Sequence, residues 1–206
     1  MYHELLRDAS FWAFLLAIDR DLAAKAKAQQ CPCGSRLHRA DYPRKPRGFQ
    51  GLPEEYQRRL SFCCGRDGCR KRVTPPSVRF LNRKVYLSAV VILVAAMRQG
   101  PAPRRVRELT KLFGASRETI YRWREFWNEH FPRTTFWKLA RARLVPVFEI
   151  TEFPRSLLEA FVSNSDDRDG WGKLLCFLSP ISLIKGLVIK VSEDSGKPAE
   201  DANRRF

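Results

Sequence analysis

The sequence predicts a mainly α-helical chain with a small β zinc ribbon and a helix-turn-helix. Three observations lead there. Apolar residues recur at helical spacing through much of the chain, cysteines gather in two short turns at 31–33 and 63–69, and a Leu-Phe-Gly-Ala-Ser step at 112–116 separates two short helical patterns. The 44% hydrophobic content, 14 Phe and 5 Trp are enough for a folded core.

Residues 4 to 29 predict a helix, because Leu5, Leu6, Trp12, Leu15, Leu16 and Leu22 recur at helical spacing and the Ala-rich end has high propensity. Cys31 to Pro76 is rich in Cys, Gly, Pro and Arg and poor in long apolar runs, so a metal is its natural staple. Arg58 to Cys64 reads as one strand. Lys84 to Gln99 predicts a buried helix, broken by Gly100-Pro101-Ala102-Pro103. Arg104 to Phe113 and Arg117 to Trp127 predict two short helices, with further helices at Thr135 to Arg143 and Pro154 to Phe161. Asn164 to Gly172 reads as an acidic loop, Leu174 to Leu178 and Leu183 to Val191 as helix or strand, and Ser192 to Phe206 as a disordered tail. The expected organisation is an N-terminal helix (1–30), a ribbon-like segment (31–80), the helix-turn-helix (81–132), a C-terminal apolar segment (133–191) and the tail (192–206).

Charge narrows the function. With 38 Lys and Arg against 22 Asp and Glu, the net charge of +16 creates a field that attracts polyanions, nucleic acid first among them. No secretory signal is visible, and the longest apolar run, Val85 to Met97, is too short to span a bilayer. A cytoplasmic, nucleoid-associated protein without membrane contact is expected. In that compartment six Cys point to metal or free thiols before disulfides.

The two Cys turns, Cys31-Pro32-Cys33-Gly34 and Cys63-Cys64-Gly65-Arg66-Asp67-Gly68-Cys69, suit a tetrahedral structural Zn2+ held by Cys31, Cys33, Cys64 and Cys69. Cys63 is an alternative to Cys64, and His38 is a competing ligand. Four protein ligands leave no open position for water, so zinc hydrolysis is not expected. Cys176, alone in an apolar run, reads as core. Between the turns, Arg44, Lys45 and Arg47 lie in a proline-rich loop that suits phosphate tracking or minor-groove insertion, with a solvated basic loop as the alternative.

In the helix-turn-helix, Leu109 and Phe113 face Ile120 and Trp123. Gly114 takes the left-handed turn position, where a Cβ would cost about 1 kcal/mol or more, and Ser116 caps the second helix. The outward residues Ser116, Arg117, Glu118, Tyr121, Arg122 and Arg124 are the expected DNA readers, with Arg104 and Arg105 on the preceding helix. Arg117 and Arg122 suit bases or phosphates, and Glu118 can accept from cytosine. The plainer alternative is a helical hairpin that only packs a core.

The Cys-Pro turn, the second Cys turn, Arg72-Val73-Thr74-Pro75-Pro76-Ser77, a hydrophobic helix and Ile120-Tyr121-Arg122-Trp123 together resemble the N-terminal DNA-binding region of bacterial insertion-sequence transposases, over about residues 31 to 130. That resemblance implies recognition of element ends, followed in the family by an RNase H-like domain with three metal-binding carboxylates. Here the first Cys turn is short. Glu149, Glu152, Glu159, Asp166, Asp167 and Asp169 cluster beside an expected loop, not at the ends of successive strands. No catalytic residue is assigned. The expectation is an accessory protein of a mobile element that binds double-stranded DNA, with a recombinase or transposase subunit or a second copy of the chain as partner; Leu144 to Phe161 and Leu174 to Val191 suit a dimer or partner surface, with completion of the core as the alternative. A transcriptional regulator, a transposase with a degenerate centre and an RNA-binding ribbon protein are the alternatives.

Overall fold

The computed structural model describes residues 5–44, 52–80, 106–107, 110–111, 114, 116–144, 153–164 and 167–183. The expected helix at 84–99, the tail at 192–206, and Lys45, Arg47, Arg104, Arg105, Leu109 and Phe113 lie outside them. Within them the chain is mainly helical with two small antiparallel sheets.

The N-terminal segment is not one helix. A 3-10 turn, Leu5–Arg7, ends at Asp8, whose carboxylate accepts the Ser10 N–H at 2.8 Å and starts helix α1, Ala9–Ala28. Asp8 thus supplies the N-terminal acceptor that an uncapped helix lacks. Phe11, Trp12, Leu15, Leu16 and Ala23 recur along the buried face of α1. The Trp12 indole N–H donates to the Leu6 carbonyl at 2.8 Å and ties the turn to the helix.

After α1 come strands β1 (Leu37–Arg39) and β2 (Tyr42–Pro43), a short helix α2 (Glu54–Gln57), then β3 (Arg58–Arg59), β4 (Phe62–Cys64) and β5 (Arg72–Val73). A three-stranded sheet has the order β1-β4-β5, and β2 pairs with β3 in a second sheet. The single strand expected over Arg58 to Cys64 is therefore two strands serving two sheets. The break falls at Leu60-Ser61, where the Ser61 N–H turns to the Asp41 carboxylate at 3.0 Å and its carbonyl accepts the Ala40 N–H at 2.8 Å.

Helix α3, Arg117–Glu125, follows an N-cap at Ser116 and runs directly into a π-helical stretch, Phe126–His130. The expected α-helix to Trp127 thus ends two residues early. Helices α4 (Thr135–Ala140), α5 (Arg155–Phe161) and α6 (Arg168–Leu178) follow, with 3-10 turns at Phe131–Arg133, Arg141–Arg143 and Ser179–Leu183. The expected acidic loop at 164–172 is in part the first turn of α6. Asp167 is its N-cap and accepts the Gly170 N–H at 2.8 Å. Leu174 to Leu178, open between helix and strand, is helical.

One hydrophobic cluster joins α1, Leu52, Val78, α3, α5 and α6. Phe11 meets Trp171 edge-on with ring centroids 6.2 Å apart, which places α6 against α1. Trp127, Phe131, Trp137 and Phe153 form a run of tilted and edge contacts, with centroids 4.7 to 5.4 Å apart. A second, smaller cluster contains Ala23, Leu37, Leu60 and Phe62 beside the cysteines. The ribbon therefore packs on the C-terminal part of α1 through a core of its own. No helix among the described residues is long and apolar enough to cross a membrane.

Candidate metal centre and nucleic-acid interface

The four cysteines come from three places. Cys31 and Cys33 lie in the turn before β1, Cys64 ends β4, and Cys69 sits in the loop between β4 and β5. Local backbone chemistry shapes both turns. The Gly34 N–H donates to the Cys31 carbonyl at 2.7 Å, and the Cys69 N–H donates to the Arg66 carbonyl at 3.1 Å. Gly34 and Gly68 take φ of 80° and 81°, the left-handed region in which a Cβ is strained. Pairing of Leu37 with Cys64 then brings the turns together.

The result is a compact sulfur cage. Cys31 Sγ lies 3.8 Å from Cys69 Sγ, Cys33 Sγ lies 3.5 Å from Cys64 Sγ, and all four sulfurs are within 4.8 Å of one another. Zinc–sulfur bonds of about 2.3 Å in a tetrahedron require sulfurs roughly 3.8 Å apart, so the cage is compatible with zinc. Among the described residues it is the only such group of metal-ligating side chains. The donor set is all thiol, the soft chemistry that suits zinc and excludes magnesium or calcium.

The sulfurs differ in their surroundings. The Ser35 backbone N–H and the neighbouring cysteines favour the Cys33 thiolate and bring that thiol down to about 6. At Cys64 the Arg66 N–H also favours the thiolate, at 3.4 Å, but burial and the three other sulfurs push the thiol up to about 12. Cys31 has a favourable N–H from Cys33 and a favourable contact with the Cys64 sulfur, outweighed by burial and the Cys33 and Cys69 sulfurs, and is raised.

Two competitors are excluded by strand geometry. Cys63 is the neighbour of Cys64 on β4, so its side chain leaves the opposite face of the sheet. Its thiol faces the Arg70 carbonyl at 3.4 Å. His38 is paired with Cys63 and lies against Gly65, where a Cβ would come within 2.6 Å of its Nε2. Neither residue belongs to the cage. Cys176, expected in the core, is exposed on α6, and partial burial raises its thiol.

The described part of the expected reading motif has its own geometry. Gly114 has φ 59°, and its N–H donates to the Thr110 carbonyl at 2.9 Å. Ser116 accepts the Thr119 N–H at 3.3 Å and caps α3. Ile120 and Trp123 are 1% exposed and point into the core, so the opposite face of α3 is turned outward. Ser116, Arg117, Glu118 and Tyr121 are exposed there, while Arg122 and Arg124 are half-buried. The Arg117 guanidinium lies 5.4 Å from the centre of the Tyr121 ring, and its Nη2 reaches the Tyr121 hydroxyl at 3.4 Å. The Glu118 carboxyl is held below its ordinary range by its own backbone N–H, the Ser116 hydroxyl, Arg117 and Arg122.

Of the acids weighed as carboxylate ligands, Glu149, Glu152 and Asp166 lie outside the described residues. The others are engaged locally. Glu159 accepts from Arg155 at 2.7 Å, Asp169 pairs with Lys173 at 2.6 Å, and Asp167 caps α6. Comparison with protein-family models, with curated proteins and with solved structures finds no match.

Proposed function

We propose that this chain binds double-stranded DNA, with α3 docked in the major groove and a structural zinc in the Cys31, Cys33, Cys64, Cys69 cage. The observation that carries this reading is the two-sided character of α3. One side is anchored by buried Ile120 and Trp123, and the other presents Arg117, Glu118, Tyr121 and Arg122 next to a capped N-terminus. A helix with its side chains is about 10–12 Å across and the major groove about 12 Å wide, so such a helix fits with its N-terminal residues at the base edges. Gly114 and the Ser116 cap are the turn features that a helix-turn-helix needs at these positions. The net charge of +16 supplies the long-range attraction.

The zinc is structural in this reading, since four sulfurs complete its tetrahedron and leave no place for water. Arg117 and Arg122 act as donors to guanine edges or phosphates, and Glu118 as an acceptor from cytosine. The resemblance to insertion-sequence transposases supports an accessory role at the ends of a mobile element.

The test is selection of bound duplex fragments from a random pool by purified protein, with zinc assayed on the same sample. Enrichment of one sequence, with one zinc per chain, is the expected outcome. Arg117→Ala is expected to cost roughly 1–3 kcal/mol and to relax preference at one base position. Absence of any enriched sequence overturns the sequence-specific reading.

A further inference from the structure

Among the described residues Tyr121 is one of the few large apolar side chains left exposed, and it stands on a helix whose other apolar residues, Ile120 and Trp123, are buried. It follows Arg117 by four positions, so the two side chains share the outward face of α3, one turn apart. Long side chains on a helix lean back over the turn that precedes them. Tyr121 therefore leans toward Arg117, whose guanidinium carbon lies 5.4 Å from the centre of the ring. That separation is within the roughly 6 Å reach of a cation–π attraction. Arg117 Nη2 also donates to the Tyr121 hydroxyl at 3.4 Å, which sets the guanidinium at the hydroxyl side of the ring.

The contact leaves the guanidinium fork usable. One Nη2 hydrogen goes to the hydroxyl, and the other Nη2 hydrogen and both Nη1 hydrogens are not consumed by it. Two neighbouring N–H groups are what the O6 and N7 atoms of guanine accept in the major groove. An unsupported arginine samples many rotamers and meets phosphates as readily as bases. A ring beside it narrows that range before DNA arrives, so less side-chain freedom is lost on binding. Arg117 is also the first residue of α3, and the N-terminal residues of a recognition helix are those that meet base edges.

We propose that Tyr121 is a positioning residue that holds Arg117 for a guanine edge and so sets specificity at one base pair; the proposal rests on the duplex-DNA reading above. Arg117 reads the base, and the Tyr121 ring and hydroxyl aim it. The pair thereby commits Arg117 to a base, where charge alone serves equally well at a phosphate.

The experiment compares the affinity of the full, zinc-loaded chain for two duplexes. One is the sequence it selects from a random pool. The other differs at a single base pair, G·C changed to A·T, at the position where Arg117→Ala loses its preference. The wild type is expected to prefer guanine by roughly 5- to 150-fold, the discrimination of one bidentate contact. Tyr121→Leu keeps apolar bulk and helix propensity and removes the aromatic face and the hydroxyl; at a position 40% exposed it leaves the core untouched. It should lower the guanine preference by about two- to tenfold, the cost of ordering one long side chain, with affinity for a random duplex nearly unchanged. Tyr121→Phe retains the ring and should retain most of the preference. In the Arg117→Ala background, Tyr121→Leu should not alter the ratio between the two duplexes. An unchanged preference in Tyr121→Leu overturns the proposal and leaves α3 as the reading helix. So does an equal loss on both duplexes, or the same loss with and without Arg117, since Tyr121 then touches DNA directly. Uniform weakening of all duplexes by Arg117→Ala overturns it as well, by assigning Arg117 to a phosphate. A wild-type chain that selects no sequence overturns the proposal and the function together.

Discussion

Asp19 on α1 and Arg79, sixty residues later, form an ion pair of 2.8 Å in which the two side chains are only 2% and 0% exposed. The pair is fully dressed. Asp19 also accepts the Ser77 hydroxyl and the Val78 N–H, each at 2.7 Å. Arg79 also donates to the Tyr56 and Arg58 carbonyls at 2.6 and 2.9 Å. The junction therefore ties the ribbon, the long N-terminal helix and the 77–80 segment together. Removing one partner leaves an uncompensated charge in the interior. Asp19→Ala should cost about 3–5 kcal/mol in urea unfolding, and Asp19→Ala/Arg79→Met much less than the sum of its single changes. Additive losses would mean that the two groups do not act as a pair.

The sulfur cage separates adjacent residues sharply. Cys33→Ser and Cys69→Ser should each release the metal and loosen residues 31 to 73, whereas Cys63→Ser should retain one zinc per chain. The Cys64 thiol, pushed up to about 12, and the raised Cys31 thiol must shed protons as the ion enters. Zinc affinity measured by chelator competition should accordingly rise with pH. A pH-independent affinity would argue against thiolate ligation.

Acid should weaken the join between α5 and α6. Asp167 accepts the Ser163 and Gly170 N–H groups, and these bonds hold its carboxyl below the ordinary value of 3.8. A carboxyl lowered on folding contributes stability that is fully present above the unfolded value and is lost as pH falls through the folded one. The stability advantage of wild type over Asp167→Asn, measured by thermal unfolding from roughly pH 5 to pH 2, should therefore shrink below about pH 4. Parallel curves would remove Asp167 from the cap.

The ligand set is legible in the sequence because clustered thiols beside glycines admit few arrangements. The choice between Cys63 and Cys64 is not, because spacing along the chain says nothing of which sheet face a residue takes. That depends on pairing with β1, a partner some twenty-five residues away. Helix α6 was hidden by its opening Asp-Arg-Asp-Gly, which local propensity assigns to a loop. Tertiary packing overrides that propensity at Gly170, where a Cβ would stand 2.2 Å from the Phe161 carbonyl. The Asp19–Arg79 pair left no periodic signal, since an acid on an amphipathic helix ordinarily reads as solvent-facing.

The opposed faces of Cys63 and Cys64 have a consequence for assembly of the ribbon. Strands β1, β4 and β5 are two or three residues long, too short for backbone bonds alone to choose between neighbouring alignments. A slip of one residue along β4 would turn Cys64 outward and Cys63 inward, beside a different set of partners. An ion that accepts only four converging sulfurs discriminates between these alignments in a way that short strands cannot. With zinc held as proposed, metal capture in this segment would act as a proofreading step, ratifying one hairpin and rejecting its near-copy.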